Sequence, residues 1–155
     1  MKEEWMRRAI ELAIQNVRSG RGGPFGAVVV KDDHLIASGV NLVTATNDPT
    51  AHAEVVAIRA ACQALSTHQL TSCEIYTSCE PCPMCLGTMY WARPAAYYYA
   101  CTRHNAAEIG FDDHLIYQEI GLPPHERSIP GHCLLANAGL EPFVAWAHAT
   151  SKVPY

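Results

Sequence analysis

Two short stretches carry most of the reactive side chains: Thr50-Ala51-His52-Ala53-Glu54 and Cys79-Glu80-Pro81-Cys82-Pro83-Met84-Cys85. They supply an imidazole, a carboxylate two residues after it, and a pair of thiols three residues apart. Positions i and i+3 of a helix share a face, so Cys82 and Cys85 can grip one ion together. His52 makes a third donor, and a Cys₂His set is among those that leave zinc an open fourth position for water. Glu54 cannot share the ligand face, because residues i and i+2 of a regular helix point nearly opposite ways. His52 is therefore expected at a helix edge with Glu54 just inside, near the bound water but not on the metal.

The set suits hydrolysis of a carbon that bears an amine. Zinc brings the pKa of water from near 16 to about 7, giving a nucleophile at neutral pH. An amine leaves only once protonated, and Glu54 is placed to move that proton, an effect of about 10²–10⁴-fold. Other readings share parts of the pattern. Cys-x-x-Cys also serves redox pairs. Cys79, Cys82 and Cys85 resemble an iron–sulfur run, but its next position holds Met89. A closed structural zinc site would add Cys79 as a fourth ligand.

These groups need elements to hold them. Apolar side chains at Trp5, Met6, Ala9, Ile10, Leu12, Ala13, Ile14 and Val17 have helical spacing over Lys2–Arg18. Gly20 to Pro24 break that helix. Phe25 to Val30 and His34 to Asn41 read as a hairpin about Lys31-Asp32-Asp33. A polar loop, Thr44 to Pro49, precedes a helix from about Ala51 to Ser66. Glu74 to Thr77 is a short strand, and Pro81 is expected to open a helix reaching Ala92. Ala95 to Cys101, with three consecutive tyrosines, reads as a strand buried on both faces. A helical turn at Ala106–Ile109, a loop at Gly110–Asp113 and a helix at His114–Ile120 follow. The segment from Pro123 to Pro130 is irregular, His132 to Ala136 is a candidate strand, and Glu141 to Ser151 a candidate helix. The alternation predicts an α/β layered domain with helices on both faces of one sheet.

A chain of 155 residues, 49% hydrophobic and 17% charged, fits one globular domain, residues 1–155. No apolar run approaches a membrane span and the charged N-terminus lacks a signal pattern, so a soluble, cytoplasmic protein with no membrane partner is expected. Seven cysteines without an export signal argue against a disulfide framework. A net charge of −4 with no basic run argues against nucleic acid as a partner.

His-x-Glu followed by Pro-Cys-x-x-Cys is the zinc deaminase signature. The chain resembles the cytidine-deaminase-like zinc hydrolase superfamily and, within it, the bacterial guanine deaminase family. The likeness runs through Gly22–Val28, Asn47–Val55, Tyr76–Gly87 and Tyr90–Pro94. Gly110-Phe111-Asp112-Asp113 and the terminal Tyr155 point to the guanine branch. The resemblance implies a three-layer α/β/α domain with a central five-stranded mixed sheet, one Zn²⁺ per subunit on His52, Cys82 and Cys85, and hydrolysis of guanine at C2 to xanthine and ammonia in purine catabolism. It also implies a homodimer whose C-terminal segment, about 132–155, is exchanged and covers the partner's active site. Carried over by position, Glu54 and Asp113 are catalytic. Phe25 stacks on the purine, Asn41 hydrogen-bonds it, and Ala53, Trp91, Asp113 and Tyr155 complete the substrate contacts.

Each of these has a plainer reading. Asn41 could cap a turn, Phe25 could be core, Asp113 could cap the next helix, and a last residue such as Tyr155 is usually frayed. The same zinc chemistry also serves deaminases of other small rings and of tRNA adenosine. A non-catalytic zinc-stabilised module would keep His52, Cys82 and Cys85 and have no use for Glu54.

Overall fold

The strand Gly26–Lys31 (β1) alternates in the way that makes layers. Ala27 and Val29 face one side of the sheet and Val28 and Val30 the other, all buried. Lys2–Arg18 (α1) covers the Val28–Val30 side, packing Trp5, Met6 and Leu12 there with Tyr76. Glu3 and Glu4 lie in its first turn and Arg18 in its last, complementing the helix dipole. Ala53–Ala64 (α3) and Pro83–Ala92 (α4) cover the opposite side through Ala53, Ala57, Ile58, Ala61, Met89 and Ala92.

The computed structural model describes residues 1–155, which form two compact units, Met1–Asp113 and His114–Tyr155. In the first, His34–Val40 (β2), β1, Cys73–Cys79 (β3) and Ala96–Cys101 (β4) lie in the order β2-β1-β3-β4. β1 runs antiparallel to β2 and β3, whereas β3 and β4 are parallel, so the sheet is mixed. The three-layer expectation holds within this unit, but the sheet has four strands, not five. The candidate fifth strand at His132–Ala136 is not one: Leu135 turns to φ 55°, and the run pairs with no strand. An extended segment without a ladder partner leaves its backbone groups to solvent.

Three smaller expectations change. Thr44 to Pro49 is not all loop, because Val43–Thr46 (α2) makes a helical turn that Asn47 closes in the left-handed region at φ 51°. The third long helix starts at Pro83, not Pro81, with Cys82 as its N-cap. β4 is an edge strand instead of a doubly buried one: Tyr97 and Tyr99 are 39% and 46% exposed, and Tyr98 stacks on Tyr76. Arg103–Glu108 (α5), capped by Thr102 and Asn105, ends the first unit's regular elements. The second unit holds His114–Ile120 (α6), Glu141–His148 (α7) and short 3₁₀ turns at Pro124–Glu126 and Ala138–Leu140. No helix is long and apolar enough to cross a membrane.

Candidate metal centre and cleft

Two helices begin at the same place and in the same way. His52 is the N-cap of α3 and Cys82 the N-cap of α4, both extended, with ψ of 154° and 168°. At Cys82 the cause is local: the residue before a proline is driven out of the helical region, and Pro83 then takes the first helical position. At His52 the approach is held by Asp48, whose Oδ1 accepts the Thr50 N–H at 2.8 Å and the Thr50 hydroxyl at 2.7 Å. Leu42 N–H then donates to the Ala51 carbonyl at 2.9 Å.

The caps bring the three donors together. Nδ1 of His52 lies 3.5 Å from Cys82 Sγ and 3.4 Å from Cys85 Sγ, and all three ligand atoms lie within 4.8 Å of one another. Zinc bonds of about 2.3 Å to sulfur and about 2.0 Å to nitrogen, at a tetrahedral angle, would set sulfur and nitrogen about 3.5 Å apart. The cradle therefore fits zinc. The hydrogen bond from Cys85, helped by His52, holds Cys82 down at about 4, and the same hydrogen bond, together with burial, pushes Cys85 up. The Cys82 hydrogen bond likewise raises His52. A bound cation is what would draw off the remaining thiol proton.

Cys79 is not part of this cluster. Its Sγ donates to the Thr102 carbonyl at 3.6 Å, and burial pushes its thiol up to about 11, so it keeps its proton. Three ligands leave a fourth position open, which counts against the closed structural site and against an iron–sulfur run.

Glu54, at the second position of α3, is 6% exposed. Its Oε1 accepts the Thr77 hydroxyl at 3.2 Å, and its Oε2 faces the Cys85 thiol at 3.4 Å. Burial raises its pKa above the ordinary carboxylate value. His52, Glu54 and Cys82 lie in the wall of a cleft of about 590 Å³, with Phe25 and Asn41 in the same wall. Asn41 Oδ1 accepts the Val43 N–H at 3.3 Å, which leaves its NH₂ as the group able to donate to a ligand.

The remaining predicted residues are placed as follows. Asp113 closes the first unit; burial raises its pKa, with the Cys82 charge adding to the shift. Ala53 is fully buried in the core, between His52 and Glu54 at the start of α3. Trp91 lies on α4, 64% exposed, and does not line its own chain's cleft. Tyr155 ends the second unit with its side chain 72% exposed.

Three cleft contributors escaped the sequence. Thr77 orients Glu54. Glu80 Oε2 accepts the Arg103 N–H at 3.0 Å and so ties α5 to the cleft wall. Phe111 meets Phe25 edge-to-face at 4.9 Å. Only Phe111, an aromatic beside Gly110 in a polar loop, carried a local signal.

The model of the cytidine and deoxycytidylate deaminase zinc-binding region matches residues 1–101. Guanine deaminase of Bacillus subtilis is 55% identical over 153 residues, 99% of this chain and 98% of that protein. An X-ray structure of guanine deaminase from that organism superposes with a TM-score of 0.97 over 99% of this chain and 98% of the other. Guanine deaminase from Nitrosomonas europaea is 36% identical, with a TM-score of 0.70 over 74% of this chain and 66% of that one. A tRNA-specific adenosine deaminase of Haemophilus influenzae is 35% identical over 72% of this chain and 68% of its own length. The chain belongs to the cytidine and deoxycytidylate deaminase zinc-binding family, on its guanine deaminase branch.

Proposed function

We propose that the chain is a zinc-dependent guanine deaminase of purine catabolism, converting guanine and water to xanthine and ammonia as a cytoplasmic homodimer. The observation that carries this is Glu54: a buried carboxylate beside a three-donor metal cradle, in the wall of a cleft of about 590 Å³. Zinc on His52, Cys82 and Cys85 supplies Lewis acidity, bringing water from a pKa near 16 to about 7.

The chain's own groups do the rest. Thr77 fixes Oε1 of Glu54 and leaves Oε2 to accept the proton that water gives up. Glu54 delivers that proton to the ring nitrogen next to C2, then carries the second proton, from the hydroxyl now on C2, to the exocyclic amine, which departs as ammonia as the C2 oxygen becomes a carbonyl. Phe25 stacks on the purine, steadied by the edge of Phe111, and Asn41 donates its side-chain N–H to the ring. The Ala53 backbone completes this side, and Asp113 contacts the guanine edge and helps move protons. Residues 1–155 act as one deaminase domain whose segment from about 132 to 155 is exchanged, so that Tyr155 closes the partner's cleft. Trp91 completes the pocket's lining in that dimer.

The test is ammonia release by zinc-loaded protein from guanine, cytosine, adenine and a tRNA anticodon stem. Release from guanine alone supports the reading; release from none rejects it, and release from the tRNA stem moves the chain to the adenosine deaminases. Glu54→Gln should keep its zinc and lose about 10²–10⁴-fold in turnover. Undiminished turnover in that variant would remove Glu54 from the chemistry.

A further inference from the structure

We propose that Asn16, which does not line the cleft, is a positioning residue for the substrate: one carboxamide on α1 fixes the Gly22–Phe25 edge and the Asn41 edge of the cleft relative to each other. The inference rests on the guanine deaminase reading, in which Phe25 and Asn41 hold the purine.

Asn16 is 3% exposed and continues the buried stripe of Ala9 and Ala13 along α1. Its Nδ2 donates to the Gly23 carbonyl at 2.9 Å and to the Asn41 carbonyl at 2.8 Å. An NH₂ has two hydrogens, and both are used. Gly23 and Asn41 stand on either side of the β1–β2 hairpin, so a single nitrogen joins its two ends. The ring closes through the backbone, since Asn41 N–H donates to the Phe25 carbonyl at 3.2 Å and Phe25 N–H to the Gly23 carbonyl at 2.9 Å.

The fit is tight from the other side too. A Cβ on Gly22 would stand 2.3 Å from the Asn41 carbonyl oxygen and 3.2 Å from Asn16 Nδ2. Asn16 is itself pinned, because its own carbonyl accepts the Arg21 N–H at 3.2 Å and the Ser19 hydroxyl at 3.0 Å. Its Oδ1, in contrast, is buried with no partner. An orphaned buried acceptor is destabilising. Packing alone would be served by an apolar side chain like those before it on the stripe. The donor pair, not the stability of α1, accounts for an asparagine here.

Groups that bind substrate and transition state alike act on KM and leave kcat alone. Asn16→Leu keeps the volume and removes both donors. In zinc-loaded protein it should raise KM for guanine by about ten- to 100-fold, with kcat held within about three-fold. Asn16→Leu combined with Asn41→Ala should raise KM by less than the product of the two single effects, because one acts through the other. An unchanged KM, a loss confined to kcat, or a fully multiplicative double variant would overturn the proposal. Failure of Asn16→Leu to accumulate as folded, zinc-bearing protein would also overturn it, since the bonds would then hold the fold and not the pocket. If the parent protein released no ammonia from guanine, the functional reading itself would fall; parent activity with an unmoved KM would sink only the role of Asn16.

Discussion

Glu54 is the residue on which the chemistry turns, and its place follows from a cap. His52 stands outside the helix as its N-cap, so the i, i+2 pair escapes regular helical geometry and imidazole and carboxylate reach one site. The sequence made this legible because ligand spacing is local. It could not reveal what orients the carboxylate, since Thr77 comes from β3 and meets Glu54 only through the fold. Asn16 was hidden for a related reason: on a helix read for its apolar stripe, a buried amide is passed over. Thr77→Val tests the orienting bond with little change in volume. It leaves Oε1 without a donor, at a cost of about 1–3 kcal/mol in stability. With the carboxylate free to turn, kcat should fall by about ten-fold or more while zinc content, measured by atomic absorption, stays at the parent level. An unaltered kcat would mean that burial alone aims Glu54.

At the scale of elements, the strand–helix order could be read because periodicity is intrinsic to a segment. The limits of α1 and α6 agree with the observed helices at both ends. Strand order could not be read in this way. The tyrosines of β4 look like core in sequence, yet β4 pairs on one side only and leaves Tyr97 and Tyr99 exposed. The run at His132–Ala136 has strand composition but no partner to pair with. Close packing between elements was equally invisible, and Gly39 shows its consequence for the site. A Cβ there would lie 2.3 Å from the Ala53 carbonyl and 2.5 Å from the Ala57 nitrogen, both backbone atoms of α3. Ala53 sits between His52 and Glu54, so Gly39→Ala must push the helix start that carries the site. Overpacking of this kind costs about 1–3 kcal/mol, and zinc affinity and turnover should fall with it. Gly26→Ala is the control, since its Cβ would press on α1 at the Ala9 carbonyl, also at 2.3 Å. Comparable destabilisation in a denaturant titration is expected there, with zinc affinity kept. Equal loss of zinc in both variants would show general loosening instead of a shifted α3.

For the whole molecule, length alone reads as one domain, and the chain forms two compact units whose boundary, Asp113–His114, falls at the end of the short Gly110–Asp113 loop. Each unit displays large apolar side chains: Tyr90, Trp91, Tyr97 and Tyr99 in the first, and Ile129, Leu134, Leu135, Phe143 and Val153 in the second. Exposed apolar surface on this scale marks contact surfaces, and a homodimer that exchanges its C-terminal segment would use them. No single-chain pattern could reveal such a use, because a second copy would be needed to complete the contacts. Exchange has a quantitative consequence. In a mixed dimer of Glu54→Gln with a chain lacking Tyr155, one site combines an intact Glu54 with an intact tail from its partner, and the other site carries both defects. Random reassortment makes half the dimers mixed, and one site in each is whole, so about a quarter of parental activity should return. If each tail served its own chain, every site in the mixture would carry a defect. Mass spectrometry of the intact dimers establishes that subunits have mixed. Activity that then stays at the level of the separate variants would reject exchange of the C-terminal segment.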